Sequence, residues 1–136
     1  MNSRRLLASS LGLKRNVMKD FKKLLIWKKG MELVEETDKA VAFLPTEEKY
    51  GLRSQATRAA VSVVLNIAEG SAKTSKKEYK NYLGTSLGSA FELETILLVI
   101  ERLRLIKKEA VEVLIEELRE QRMISSLINK VRADVQ

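Results

Sequence analysis

The chain has 136 residues and a formal net charge of +7, with six glycines, one proline and neither cysteine nor histidine. The missing residues exclude disulfides, zinc–thiolate sites, thiol nucleophiles and the commonest general base near neutral pH. What remains, rich in Leu, Glu, Lys, Ala and Val, predicts one all-α domain in a reducing cytoplasm.

The charge is unevenly placed. Residues 1–30 hold nine Lys/Arg and one acid, a net of +8; residues 31–136 hold sixteen and seventeen, a net of −1. No uncharged apolar run reaches the ~18 residues that a membrane span needs, so no membrane partner is expected.

Residues 1–19 read as a basic extension, with Arg4, Arg5, Lys14, Arg15 and Lys19 and no acid among them. A flexible arm for RNA, a targeting peptide and an upstream extension with Met18 as the natural start all fit this segment. Residues 20–136 read as the folded domain. Asp20 offers an N-cap for a first helix, reaching to Leu44 before Pro45. Leu24, Trp27, Met31, Val34, Thr37, Val41 and Leu44 recur every three or four residues as its apolar stripe, with Trp27 as a core anchor. Thr46 offers the next N-cap, and Glu47 and Glu48 suit the positive end of a helix dipole.

The second helix is expected over residues 47–69. Leu52, Ala56, Ala59, Val63 and Ile67 form one apolar face; Val61, Val64, Leu65 and Ala68 form another. Between them Gln55, Arg58, Ser62, Asn66 and Glu69 make a polar stripe. A second apolar face points to a second subunit, and a polar residue in such a seam can set register. Asn66 could equally cap a neighbouring helix or loop. Gly70 suits the left-handed position that ends a helix.

Ser75-Lys76-Lys77-Glu78 matches a capping box and opens a third helix to about Leu105. Tyr79, Leu83, Ser86, Ala90, Leu93, Leu97 and Ile100 give it a bundle seam. Gly84 and Gly88, costly inside a helix, predict close approach to another helix. Lys73, Lys76, Lys77 and Lys80 could touch an anion near the helix start, or be a solvated face. With Lys22, Lys23, Lys28 and Lys29 and the cations of residues 1–19, they are the candidate nucleic-acid contacts. A fourth helix over residues 109–131 turns Val111, Leu114, Ile115, Leu118, Ile124, Leu127, Ile128 and Val131 inward. Four helices with short connections make an antiparallel up-down-up-down bundle. No facing carboxylate pair appears, so neither catalysis nor a metal, cofactor or small-molecule substrate is expected.

Several of these residues carry a resemblance. Leu24-x-x-Trp27, Arg58-x-x-x-Ser62-x-x-x-Asn66-Ile67-Ala68-Glu69-Gly70, the Ser75-to-Tyr79 opening and Gly88-Ser89 followed by Glu92-Leu93-Glu94 resemble bacterial 23S rRNA intervening-sequence proteins, over about Phe21 to Val131. The resemblance implies a left-handed bundle assembled as a homopentamer, with Arg58, Ser62, Asn66, Glu69, Gly70, Gly88, Ser89, Glu92 and Glu94 as signature and assembly residues. It implies possible association with RNA. A fold similar to the accessory subunits of retroelement reverse transcriptases implies, alternatively, a protein-interaction scaffold.

Overall fold

A computed structural model describes residues 20–48 and 50–120. The expectations for residues 1–19 and for Ile124, Leu127, Ile128 and Val131 lie outside that range. Among the described residues the fold is all-α, with four helices: α1 Leu25–Val41, α2 Leu52–Ser71, α3 Lys76–Arg102 and α4 Lys108–Glu120.

The first helix begins later than its cap residue suggested. Asp20 does accept a hydrogen bond from the Lys22 amide, at 3.2 Å. It caps only a 3-10 turn, Phe21–Lys23, and Leu24 is then extended before α1 starts. The buried stripe of α1 is Ile26, Leu33, Thr37 and Val41, joined by Leu44 beyond the helix end. Thr37, Val41 and Leu44 are buried as expected. The N-terminal half of the stripe is displaced by one position, so Met31 is exposed and Leu24, Trp27 and Val34 pack at the margin of the core. Trp27 meets Phe21 edge-on, with ring centroids 5.4 Å apart.

Thr46 does not open α2. Thr46–Glu48 form a separate 3-10 turn, and Glu48 reaches forward to accept from the Leu52 amide at 3.4 Å. The acidic pair therefore sits ahead of α2 and one of its members still serves the helix start. Ser75 accepts from the Glu78 amide at 3.1 Å, so α3 opens as its capping sequence predicts.

All seven seam residues expected on α3, from Tyr79 to Ile100, are buried. They pack with Ala56, Ala59, Val63 and Ile67 of α2, with α1, and with Val111, Leu114 and Leu118 of α4 in one core. By length and composition α3 could cross a membrane. Its inner side is instead the seam of this core, and the helix carries Glu92 and Glu94 outside that seam.

Two bonds set how α2 meets α3. The Ser86 hydroxyl donates to the Val63 carbonyl at 2.7 Å, and the Ser62 and Ser89 hydroxyls lie 2.8 Å apart. Residue numbers fall on one helix as they rise on the other, so the pair is antiparallel. Small side chains permit a side chain on one helix to reach the backbone of the next. Ala59, Ala60, Ser86 and Ala90 are all buried here.

Gly70 has a different role from the one its position suggested. It lies inside α2, and Ala72, in right-handed conformation, is the cap. A Cβ at Gly70 would stand 2.8 Å from the Tyr82 Cβ and 3.1 Å from the Tyr79 ring. Glycine is needed there so that two tyrosines of α3 can close over the end of α2.

Candidate functional site

The signature residues are separated in sequence and gathered by the α2–α3 pairing. The register defined by Ser62 and Ser89 brings Arg58 of α2 level with Glu92 of α3, and Leu65 level with Thr85. At the centre is a relay of polar groups. The Asn66 amide nitrogen donates to the Ser62 carbonyl at 2.8 Å and to the Ser62 hydroxyl at 3.1 Å. Ser89 donates its one proton to the Thr85 carbonyl at 3.1 Å. Ser62 must then be the donor towards Ser89. The chain Asn66 → Ser62 → Ser89 → Thr85 ties the helices together with each hydroxyl used as both donor and acceptor.

Asn66 thus bonds back onto its own helix and caps no neighbour. Around the relay the surroundings change from buried to open. Ser89 is buried, Ser62 and Asn66 are half-buried, and Arg58, Glu69, Gly88 and Glu92 are exposed. Arg58, Glu69 and Glu92 form no ion pair among the described residues. Glu94 is half-buried and Gly70 buried, so neither belongs to this exposed rim.

The outer face of α3 continues from the relay. Gly84, Gly88, Phe91, Thr95 and Leu98 are spaced 4-3-4-3, which confines them to roughly 80° of the helix circumference. Phe91 is 56 % exposed and Leu98 47 %. A Cβ on either glycine would meet nothing within 4 Å. The close helix approach expected at Gly84 and Gly88 is therefore not made among the described residues. The glycines face open space beside two large apolar side chains.

The lysines have a separate distribution. Lys73, Lys76, Lys77 and Lys80 surround the α2–α3 connection, and Lys22, Lys23, Lys28 and Lys29 surround the start of α1. Lys73 lies over the Tyr82 ring, 5.0 Å from its centroid, and Lys22 over that of Phe21 at 5.9 Å. Each aromatic ring holds the ammonium of a lysine over its face. Arg4, Arg5, Lys14, Arg15 and Lys19 lie outside the described residues.

No group of acids that could hold a metal gathers among the described residues. The ionisable side chain most affected by its surroundings is structural. Burial pushes the Tyr79 phenol above its ordinary value of 10.0, and a hydrogen bond with Ser71 offsets part of the rise. Ser71 itself donates to the Ile67 carbonyl at 2.8 Å, within the last turn of α2.

Comparison with known proteins decides the family. The family model for 23S rRNA-intervening sequence proteins matches residues 22–127. The chain belongs to that family. A similar solved structure is a protein with unknown function from the S23 ribosomal protein family of Bacteroides thetaiotaomicron VPI-5482. It shares 25% identity, covers 76% of this chain and 98% of its own, and superposes with a TM-score of 0.71. No curated protein matches the chain. Neither the family description nor that of the Bacteroides protein names a catalysed reaction.

Proposed function

We propose that this intervening-sequence protein is a non-enzymatic bundle that assembles with copies of itself and serves as a scaffold. The observation that carries the reading is the outer face of α3. Gly84 and Gly88 leave room for a second backbone, and Phe91 and Leu98 follow them in coiled-coil spacing with no cover among the described residues. Glycine inside a helix costs roughly 0.5–1 kcal/mol against alanine, and close contact with a second subunit is a return for it. The family resemblance implies a pentamer. The absence of native cysteine makes a direct test available. Thr95→Cys places a single thiol on this face. Its reaction with a maleimide should slow as protein concentration rises through the micromolar range; a rate independent of concentration contradicts the reading.

Association with RNA is a second reading, favoured by the lysines. In an up-down bundle the start of α1 and the α2–α3 connection share one end, which gathers Lys22, Lys23, Lys28, Lys29, Lys73, Lys76, Lys77 and Lys80. Contacts to phosphate from such an end are electrostatic and nearly independent of base sequence. At ~50 mM salt the protein should bind structured RNA in preference to double-stranded DNA. The combined Lys76→Glu and Lys77→Glu variant should bind more weakly with a shallower salt dependence. No RNA binding by the unaltered chain would remove this reading and leave the scaffold intact.

A further inference from the structure

The far end of α3 carries a second group of cations that neither reading above uses. A cavity of about 1050 Å³ opens there, between the last turn of α3 and the start of α4. Arg102, Arg104, Lys107 and Lys108 line it against one acid, Glu101, with Leu105 and Ile106 among its apolar walls. Thr95 and Leu98 of the outer face of α3 also border it, so the cavity adjoins the self-association face.

Helix-end stabilisation accounts for only part of this charge. Arg102 suits the negative end of α3. Lys108 lies 3.9 Å from Glu112. Arg104 and Lys107 belong to neither helix, and neither joins an ion pair among the described residues. Lys107 and Lys108 also stand at the positive end of α4, where acids are the favourable choice.

Arg104 breaks a second local rule. The Leu105 amide donates to the Ile100 carbonyl at 3.1 Å, and the Arg104 amide to the Glu101 carbonyl at 3.0 Å. These two bonds are the paired closure that commonly ends a helix, and its left-handed position is ordinarily glycine. Here that position is Arg104, with φ 55°. An L-residue pays for that conformation in steric strain, and the side chain retained is a guanidinium on the wall of the cavity. Two departures from local preference, both adding positive charge to one cavity, are what a binding site produces and helix closure does not.

We propose that the α3–α4 turn binds a chain of phosphates, with Arg104 and Lys107 as its principal contacts. Guanidinium and ammonium groups converging from one turn suit several closely spaced anionic oxygens. The apolar walls leave room for the organic part of a strand. The same chemistry occurs in a single RNA strand and in free oligophosphate, and two probes separate them.

The test uses the full chain at ~50 mM salt with tripolyphosphate and, separately, a short oligouridylate, read by titration calorimetry. The combined Arg104→Gly and Lys107→Gln variant removes both charges and relieves the strained backbone, so the fold is not at risk. The combined Lys76→Gln and Lys77→Gln variant, at the other end of α3, is the control. Affinity for at least one probe should fall about tenfold or more in the turn variant and by less than about twofold in the control. Loss confined to oligouridylate identifies a strand; loss confined to tripolyphosphate identifies a free oligophosphate. The proposal is overturned if neither probe binds the unaltered chain, if the turn variant binds both as tightly, or if the control loses as much. Self-association of the turn variant should be unchanged, so failure here is distinguishable from failure of the scaffold reading.

Discussion

Along α3 the inner face runs Tyr79, Leu83, Ser86, Ala90, Leu93, Leu97 and Ile100, and the outer face runs Gly84, Gly88, Phe91, Thr95 and Leu98. Both follow heptad spacing. The inner residues are all buried, whereas Phe91 and Leu98 are about half exposed and the glycines face open space. Spacing alone therefore marks where a helix can be covered, and the described residues supply cover for only one side. The difference also separates two kinds of helical glycine. Gly70 is pressed by Tyr79 and Tyr82; Gly84 and Gly88 are pressed by nothing among the described residues.

The largest expected effects contrast the two faces directly. Leu93→Ala, on the inner face, should cost about 2–5 kcal/mol of unfolding free energy, because Leu93 is fully buried. Leu98→Ala, on the outer face, should change the stability of the isolated subunit by less than about 0.5 kcal/mol and weaken self-association instead. Urea denaturation at low protein concentration distinguishes them. Equal losses would erase the contrast.

The glycines give the next largest effect and differ in sign. Gly70→Ala should destabilise by about 1–3 kcal/mol, since the added methyl meets a backbone-anchored Tyr82 Cβ. Gly88→Ala should stabilise the isolated subunit by about 0.5–1 kcal/mol while loosening assembly. Thermal unfolding followed by circular dichroism, with mass measured in parallel, reads both.

A smaller change sharpens the account of the core. The Thr37 hydroxyl is buried and has no hydrogen-bond partner among the described residues. Thr37→Val should stabilise by about 1 kcal/mol, read as a shift of the urea midpoint without a change in slope. A loss of stability would mean that the hydroxyl is bonded in solution.

The smallest effect is a pH dependence. Burial raises the Tyr79 phenol above 10.0 in the folded state. The neutral form is therefore the one the fold favours. Its contribution is complete below pH 10 and is lost as pH rises from there towards the folded value, because the unfolded chain releases the proton first. Tyr79→Phe should show a shallower decline in stability above pH 10 than the unaltered protein. Identical alkaline profiles would mean that the phenol is not the group responsible.

Much of the architecture was legible from residues alone, and the misreadings share a cause. The inner seam of α3 could be read because its apolar positions recur over six turns between charged neighbours. The first half of the α1 stripe was misplaced because Trp27, Met31 and Val34 satisfy the same three-and-four spacing as Ile26, Gly30 and Leu33; only packing chooses between them. Thr46-Glu47-Glu48 carries genuine capping chemistry, but a 3-10 turn uses the same groups. The role of Gly70 depends on tyrosines that follow it across a turn, and no local pattern reports such an approach. The signature stripe was recognisable as a pattern. Its relay became visible only when the register placed Ser62 opposite Ser89. The cations of the α3–α4 turn were legible as charges, and their meaning waited on the left-handed Arg104 and the cavity beside it.

The central claim is that the outer face of α3 awaits another copy of the chain. Sedimentation velocity on the unaltered protein and on Phe91→Glu tests it most directly. The account predicts a multimer for the unaltered protein at micromolar concentration, and a monomer of unchanged helicity for Phe91→Glu. Two proteins of the same mass, whether both monomers or both multimers, would contradict it.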